Sequence, residues 1–156
     1  MAQINENLHV DAQLSAKTLS FPDKSLPASA AFHHFPVQYR TKEGVDCVTE
    51  SYPIHTAYRD GTLIAIEVMV VTPPTDTRTL TVDLKKGSQA SGFATVLSAP
   101  ITINSGTAAR QVVVGVLTTT AIADGDTLEL VITVGGAAGN HAQGLSVTVF
   151  LQQPAK

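Results

Sequence analysis

The chain has 156 residues with a formal charge of −3, and 44% of it is apolar while only 15% is charged. That is room for one ordinary domain with its own core, and the scattered basic residues exclude duplex nucleic acid as a partner, because phosphate neutralisation needs a basic stripe. A charged share well below the usual quarter or so leaves a small domain short of polar cover, so part of its apolar surface is expected to be buried against another chain.

Cys47 is the only cysteine. It can form no intrachain disulfide and no thiolate metal cluster. The opening, MAQINENLHVDAQ, has neither the charged nor the apolar region of a signal peptide. No apolar run approaches the ~20 residues that span a bilayer. These features predict a chain kept in a reducing cytoplasm or assembled there into something larger, with no membrane partner and no cofactor.

Residues 1–47 are irregular in texture. They carry Pro22, Pro27 and Pro36, three of the histidines (His9, His33, His34) and no sustained period. One strand is expected around residues 35–40. From about residue 48 the pattern turns to β, with short alternating runs between turn residues. After the turn RDG, TLIAIEVMVV places Ile64, Ile66, Val68 and Val70 on one face and Leu63, Ala65, Glu67 and Met69 on the other. Pro73 and Pro74 end that strand, since proline cannot donate to a ladder.

RTLTVDLKK follows, with Leu80, Val82 and Leu84 inward. Lys85 and Lys86 read as a solvated hairpin tip. FATVLSAPITI gives two short strands around Pro100. RQVVVGVLTT is apolar on both faces, which suits a central or interface strand. ADGD is a turn of residues that tolerate left-handed backbone. TLELVITV alternates with Leu128, Leu130, Ile132 and Val134 on one side. GGAAGNHAQG is a long small-residue loop, and LSVTVFLQQ closes the chain with Leu145, Val147, Val149 and Leu151 inward. Seven or eight strands after residue 48, and no apolar stripe at helical period, predict an all-β fold. The expected architecture is an antiparallel β-sandwich, jelly-roll-like, with residues 1–47 as an extended N-terminal arm and connecting strand and residues 48–156 as the sandwich.

Catalytic chemistry is not legible. His33 and His34 are neighbours, so on an extended backbone they point to opposite faces and cannot share one ion. A zinc site would need further ligands such as His55 or His141, and there is no HExxH or CxxC. There is no GxSxG. Cys47 reads as a small buried residue, with a Cys47–His55 pair as the reactive alternative. Asp124 and Asp126 flank Gly125 in a turn that lacks the later ligands of a calcium loop. Tyr39, Tyr52 and Tyr58 are the available platform for a sugar.

The stretches DGTLIAIEVMVVTPPTDTRTLTVDLKKG, FATVLSAPITINSGTAARQVVVGVLTTTAIADGDTLELVITV and GNHAQGLSVTVFL resemble a domain of tailed-bacteriophage virion proteins over about residues 60–151. In that family a TVD strand, a VLSxPITI hairpin, a GDxL turn and a final GLxV strand recur among head-decoration (cement), head-fibre and tail-fibre proteins. No catalytic residue belongs to the pattern. The resemblance implies a structural virion protein and no enzyme. The short chain with its leading segment is most similar to a capsid cement subunit, a homotrimer on the outside of an expanded head, assembled in the host cytoplasm with the major capsid protein as partner. An irregular segment of this length can order on binding and wrap a surface. Ile4, Leu8, Val10 and Leu14, with Phe32 and Phe35 beside the histidines, are the candidate capsid contacts. The alternative is a receptor- or glycan-binding module of a tail or fibre.

Overall fold

A computed structural model of the chain describes residues 32–88 and 90–154, the first two through their backbone alone. The strands are β1 (Phe32–Arg40), β2 (Glu50–Thr56), β3 (Gly61–Thr72), β4 (Thr79–Ser88) and β5 (Gly92–Thr95), followed by β6 (Ile101–Ile103), β7 (Val113–Val114), β8 (Ala121–Ile122), β9 (Thr127–Gly135) and β10 (Gln143–Pro154). They form two sheets. The first runs β1-β10-β3-β7, with β8 also on β3; the second runs β2-β9-β4-β5, with β6 also on β4. Taking β5 with β6 and β7 with β8 as interrupted strands leaves four positions per sheet, and the chain crosses between sheets in jelly-roll order. Every pairing with a described register is antiparallel. Among the described residues no helix is long and apolar enough to cross a membrane.

Period-two alternation builds the core. Val82 and Leu84 of β4 lie beside Ile132 and Leu130 of β9 within the second sheet, with Leu80 and Leu128 on the same inward face. Leu145, Val147, Val149 and Leu151 of β10 lie beside Val70, Val68, Ile66 and Leu63 of β3 within the first. All of these side chains are essentially without solvent contact, and none of the described polar or charged residues is fully buried. Each such apolar side chain contributes roughly 1.5–3 kcal/mol of burial free energy.

One expected face is shifted. Leu63 is buried and Ile64 is 47% exposed. The register steps from Leu63↔Leu151 to Ala65↔Phe150, so β3 spends an extra residue at Ile64. A β-bulge of this kind reverses the phase of the strand on one side of it. Strand β2 carries no clean alternation, because Pro53 interrupts it. It lies at the edge of the second sheet, where a missing N–H is tolerated, and its register also slips between Pro53 and His55.

Lys86 is not a solvated tip. It pairs with Leu128, so it points inward at the end of the sandwich. Its Nζ donates to the Ala121 carbonyl at 2.6 Å and sits 3.5 Å from the Asp126 carboxylate, tying the second sheet to β8 of the first. The loop between β9 and β10 is also braced. Arg78 donates to the Gly136 and Gly139 carbonyls at 2.6 and 3.3 Å, and Asn140 N–H donates to Thr75 Oγ1 at 2.8 Å. Gly136 has φ +79°, and a Cβ there would fall 2.0 Å from the Thr77 carbonyl oxygen, so only glycine fits.

Candidate interaction surface

Residues with reactive or ligating side chains are dispersed. Among the described residues no group of three or more His, Cys, Asp or Glu could hold a metal ion. His34 is exposed on β1, and the side chain of its neighbour His33 lies outside the described residues. Cys47 is buried, and burial pushes its thiol above the ordinary range. The imidazole near it is His141, whose Nδ1 lies 3.3 Å from the Cys47 carbonyl oxygen. A buried thiol with a raised pKa makes a poor nucleophile.

His55 instead joins a seam on the β1/β2 side of the sandwich. Its ring packs at 5.6 Å and 59° against Phe35. Burial lowers its pKa, and its Nε2 has no hydrogen-bond partner among the described residues. Further along the seam Tyr39 and Tyr52 stack at 5.2 Å, and Tyr39 Oη donates to Glu50 Oε1 at 2.6 Å. Burial first, and that bond to a carboxylate second, raise the Tyr39 phenol far above its usual value. The FHHFPVQYR stretch thus supplies the wall of the sandwich: Phe35, Val37 and Tyr39 pack on the core while His34, Pro36, Gln38 and Arg40 alternate outward. Tyr58 stands alone at 81% exposure, so the three tyrosines form no common platform.

Of the candidate capsid contacts, Ile4, Leu8, Val10 and Leu14 lie outside the described residues, as does the side chain of Phe32. Phe35 is half-buried in the seam.

The outer face of the first sheet is a different environment. Val114 lies opposite Glu67, and the same register sets Val112 beside Met69 and Val116 beside Ala65. Across β3, those residues meet Thr148, Ser146 and Phe150 of β10. Val112, Val114 and Val116 are 50%, 59% and 67% exposed. Their alternates turn inward: Val113 and Leu117 pack on the core, and a Cβ on Gly115 would meet Ile66, Ile101 and Leu97. The expected two-faced apolar strand is therefore a sheet edge with one buried and one open face. Two shallow depressions of about 260 and 180 Å³ lie on this sheet and share Arg40, Met69 and Ser146.

A polar cleft of about 400 Å³ lies at the end of the sandwich, between Asp46, Thr72, Asn140, His141 and Gln143. Gln143 Nε2 donates to Asp46 Oδ1 at 2.8 Å, which fixes both side chains. No local pattern marks this cleft, because its parts come from the β1–β2 connection, the end of β3, and a loop that reads only as small residues leading into β10.

No family model matches the chain, and no curated protein matches it in sequence. Among solved structures, the chain is similar to one from the capsid of Ralstonia phage GP4. The TM-score is 0.56 at 14% identity, over 85% of this chain and 91% of that one. A chain of turnip yellow mosaic virus aligns over 79% of this chain and 93% of its own at 14% identity, but its TM-score of 0.31 is too low to bear on the fold. At such identity the likeness to the phage capsid chain is one of fold. The two chains share a jelly-roll-like sandwich.

Proposed function

We propose that the protein is a structural subunit of a bacteriophage virion, a decoration (cement) protein that binds the outside of an expanded head and stabilises it. The observation that carries the reading is the phage-capsid likeness over most of both chains. The low charge, the open valine edge and the dispersed polar residues support a role in assembly and not in catalysis. In this reading the subunit is a homotrimer, its partner is the major capsid protein, and it resides on the capsid surface. The division near residue 47 belongs to the same proposal. Residues before the sandwich form the arm, β1 is the connecting strand, and Ile4, Leu8, Val10 and Leu14 meet the shell, with Phe32 and Phe35 where the arm enters the seam.

Co-sedimentation with expanded heads that lack the protein tests this. The full chain is expected to pellet with the heads, and a chain lacking residues 1–16 to keep its β circular dichroism but bind more weakly. A full chain that stays in the supernatant at every concentration sinks the reading. The polar cleft at Asp46, Asn140, His141 and Gln143 favours a second reading, a glycan-binding module, because convergent hydrogen-bonding groups are what a sugar requires. Titration against a glycan panel, with saturable binding abolished by Asp46→Ala, is its test.

A further inference from the structure

The cleft between Asp46, Thr72, Asn140, His141 and Gln143 has a volume of about 400 Å³, within the roughly 300–1,000 Å³ of small-molecule sites. Its backbone is fixed before any ligand arrives. Thr75 N–H donates to the Asn140 carbonyl at 3.1 Å, and Asn140 N–H donates back to Thr75 Oγ1 at 2.8 Å. Cys47 N–H donates to the Ala142 carbonyl at 2.8 Å, which ties the β1–β2 connection to the loop before β10. A site already held in place loses little freedom on binding. The hydrogen bonds its side chains make then decide what those side chains have left to offer. A carbonyl oxygen only accepts, so the 3.3 Å contact of His141 Nδ1 with the Cys47 carbonyl puts the imidazole proton on Nδ1 and leaves Nε2 as an acceptor. Gln143 commits an amide N–H to Asp46 Oδ1 at 2.8 Å and keeps Oε1, an acceptor. The Asp46 carboxylate keeps Oδ2, which only accepts. The cleft is therefore rich in acceptors, and no Lys or Arg lines it.

We propose that the cleft binds a neutral sugar, whose hydroxyls donate to Asp46, His141 and Gln143, and that it rejects acidic sugars. This rests on the glycan reading above and names the class of sugar; it is independent of head binding. A hydroxyl both donates and accepts, so it answers the acceptors and also the Asn140 amide and Thr72 hydroxyl, which can donate to it. An ammonium group has no acceptor and leaves those donors without a partner. A sugar carboxylate has no proton to give and meets Asp46 with like charge. No Phe, Tyr or Trp lines the cleft, so hydrogen bonds and not stacking carry the recognition.

Saturation-transfer NMR on the full chain tests this with methyl glucoside, methyl galactoside and methyl mannoside, each paired with the uronide that carries a carboxylate in place of its terminal CH₂OH. At least one neutral glycoside is expected to receive saturation, and its uronide none. Asp46→Asn keeps the size of an exposed side chain and should weaken binding of that glycoside by about tenfold or more. Imidazole nitrogen shifts at pH 8, assigned by the loss of signals in His141→Phe, should show His141 as the Nδ1–H tautomer. The uronide contrast and the tautomer are read on the wild type, so neither depends on how the aspartate variant folds. A uronide that binds as well as its glycoside, an Nε2–H tautomer, or a folded Asp46→Asn chain of unchanged affinity each overturns the proposal and leaves the glycan reading standing. Binding of neither glycosides nor uronides removes both, and none of these results bears on co-sedimentation with heads.

Discussion

Gly115→Ala tests whether the β7 edge is held flush by the absence of a side chain. The added methyl would lie 2.7 Å from Ile66 Cγ2, 2.8 Å from Ile101 Cδ1 and 3.1 Å from Leu97 Cδ2. Carbon atoms pack at about 3.5–4.0 Å, so all three contacts are too short. The three neighbours belong to β3, β6 and the segment before β6, and no single shift relieves them together. Overpacking of this kind costs about 1–3 kcal/mol. Removing glycine's freedom from the unfolded chain offsets only about 0.4–1 kcal/mol. Overpacking therefore wins, and urea unfolding should show a net loss of about 1–2 kcal/mol. The melting temperature should fall by ~4 °C per kcal/mol. Ile101→Val removes one of the three obstructing atoms and alone costs about 0.5–1.5 kcal/mol. In the double variant the two losses should add to less than their sum. A neutral or stabilising Gly115→Ala, or strictly additive losses, would refute the packing argument.

Two further predictions concern the seam and the end of the sandwich. His55 is a base whose folded pKa is depressed by burial, so the unfolded chain binds its proton first as pH falls below about 6.5. The stability this represents is present above that pH and lost below it. The wild type should lose more melting temperature between pH 8 and pH 5 than His55→Phe does, and parallel slopes would remove His55 from the account. Lys86→Met keeps the apolar stem but deletes a hydrogen bond from a charged donor, partly open to solvent, and should cost about 1 kcal/mol by chemical denaturation. An unchanged midpoint would mean that the tie between β4 and β8 contributes nothing.

The parts of the fold that sequence reveals are those in which strict alternation runs unbroken. β4, β9 and β10 keep one phase throughout, and their inward residues are the ones the pattern indicates. β3 fails at one point because a bulge is a property of a pair of strands, and nothing local to TLIAIE marks it. Lys86 falls on the inward phase of β4, yet its charge argues for solvent; Ala121 and Asp126, which satisfy it, lie far along the chain. The segment 111–117 reads as apolar on both faces. Only the exposure of Val112, Val114 and Val116 shows that one of those faces has no neighbour among the described residues. The polar cleft is assembled from residues nearly a hundred positions apart, so no motif spacing could reveal it.

The two lateral sides of the sandwich are closed by different means. On the β1/β2 side, Phe35 with His55 and Tyr39 with Tyr52 fill the gap between the sheets with rings from this chain, and Glu50 accepts from the half-buried Tyr39 hydroxyl. That side is complete in itself, and its prolines refuse further strands. On the β7 side the gap is bridged by backbone. Gly115 donates to the Ile66 carbonyl in the first sheet, and Ser98 N–H, beyond the second sheet's β5, donates to the Val116 carbonyl at 2.9 Å. Between the inward Val113 and Leu117 the glycine lets backbone come close at its own position, and alternation turns Val112, Val114 and Val116 outward. The same glycine that seals the core therefore sets the height of the exposed stripe. Displacing it should lower stability and move the exposed valines together, whereas changes in the aromatic seam leave that face where it is.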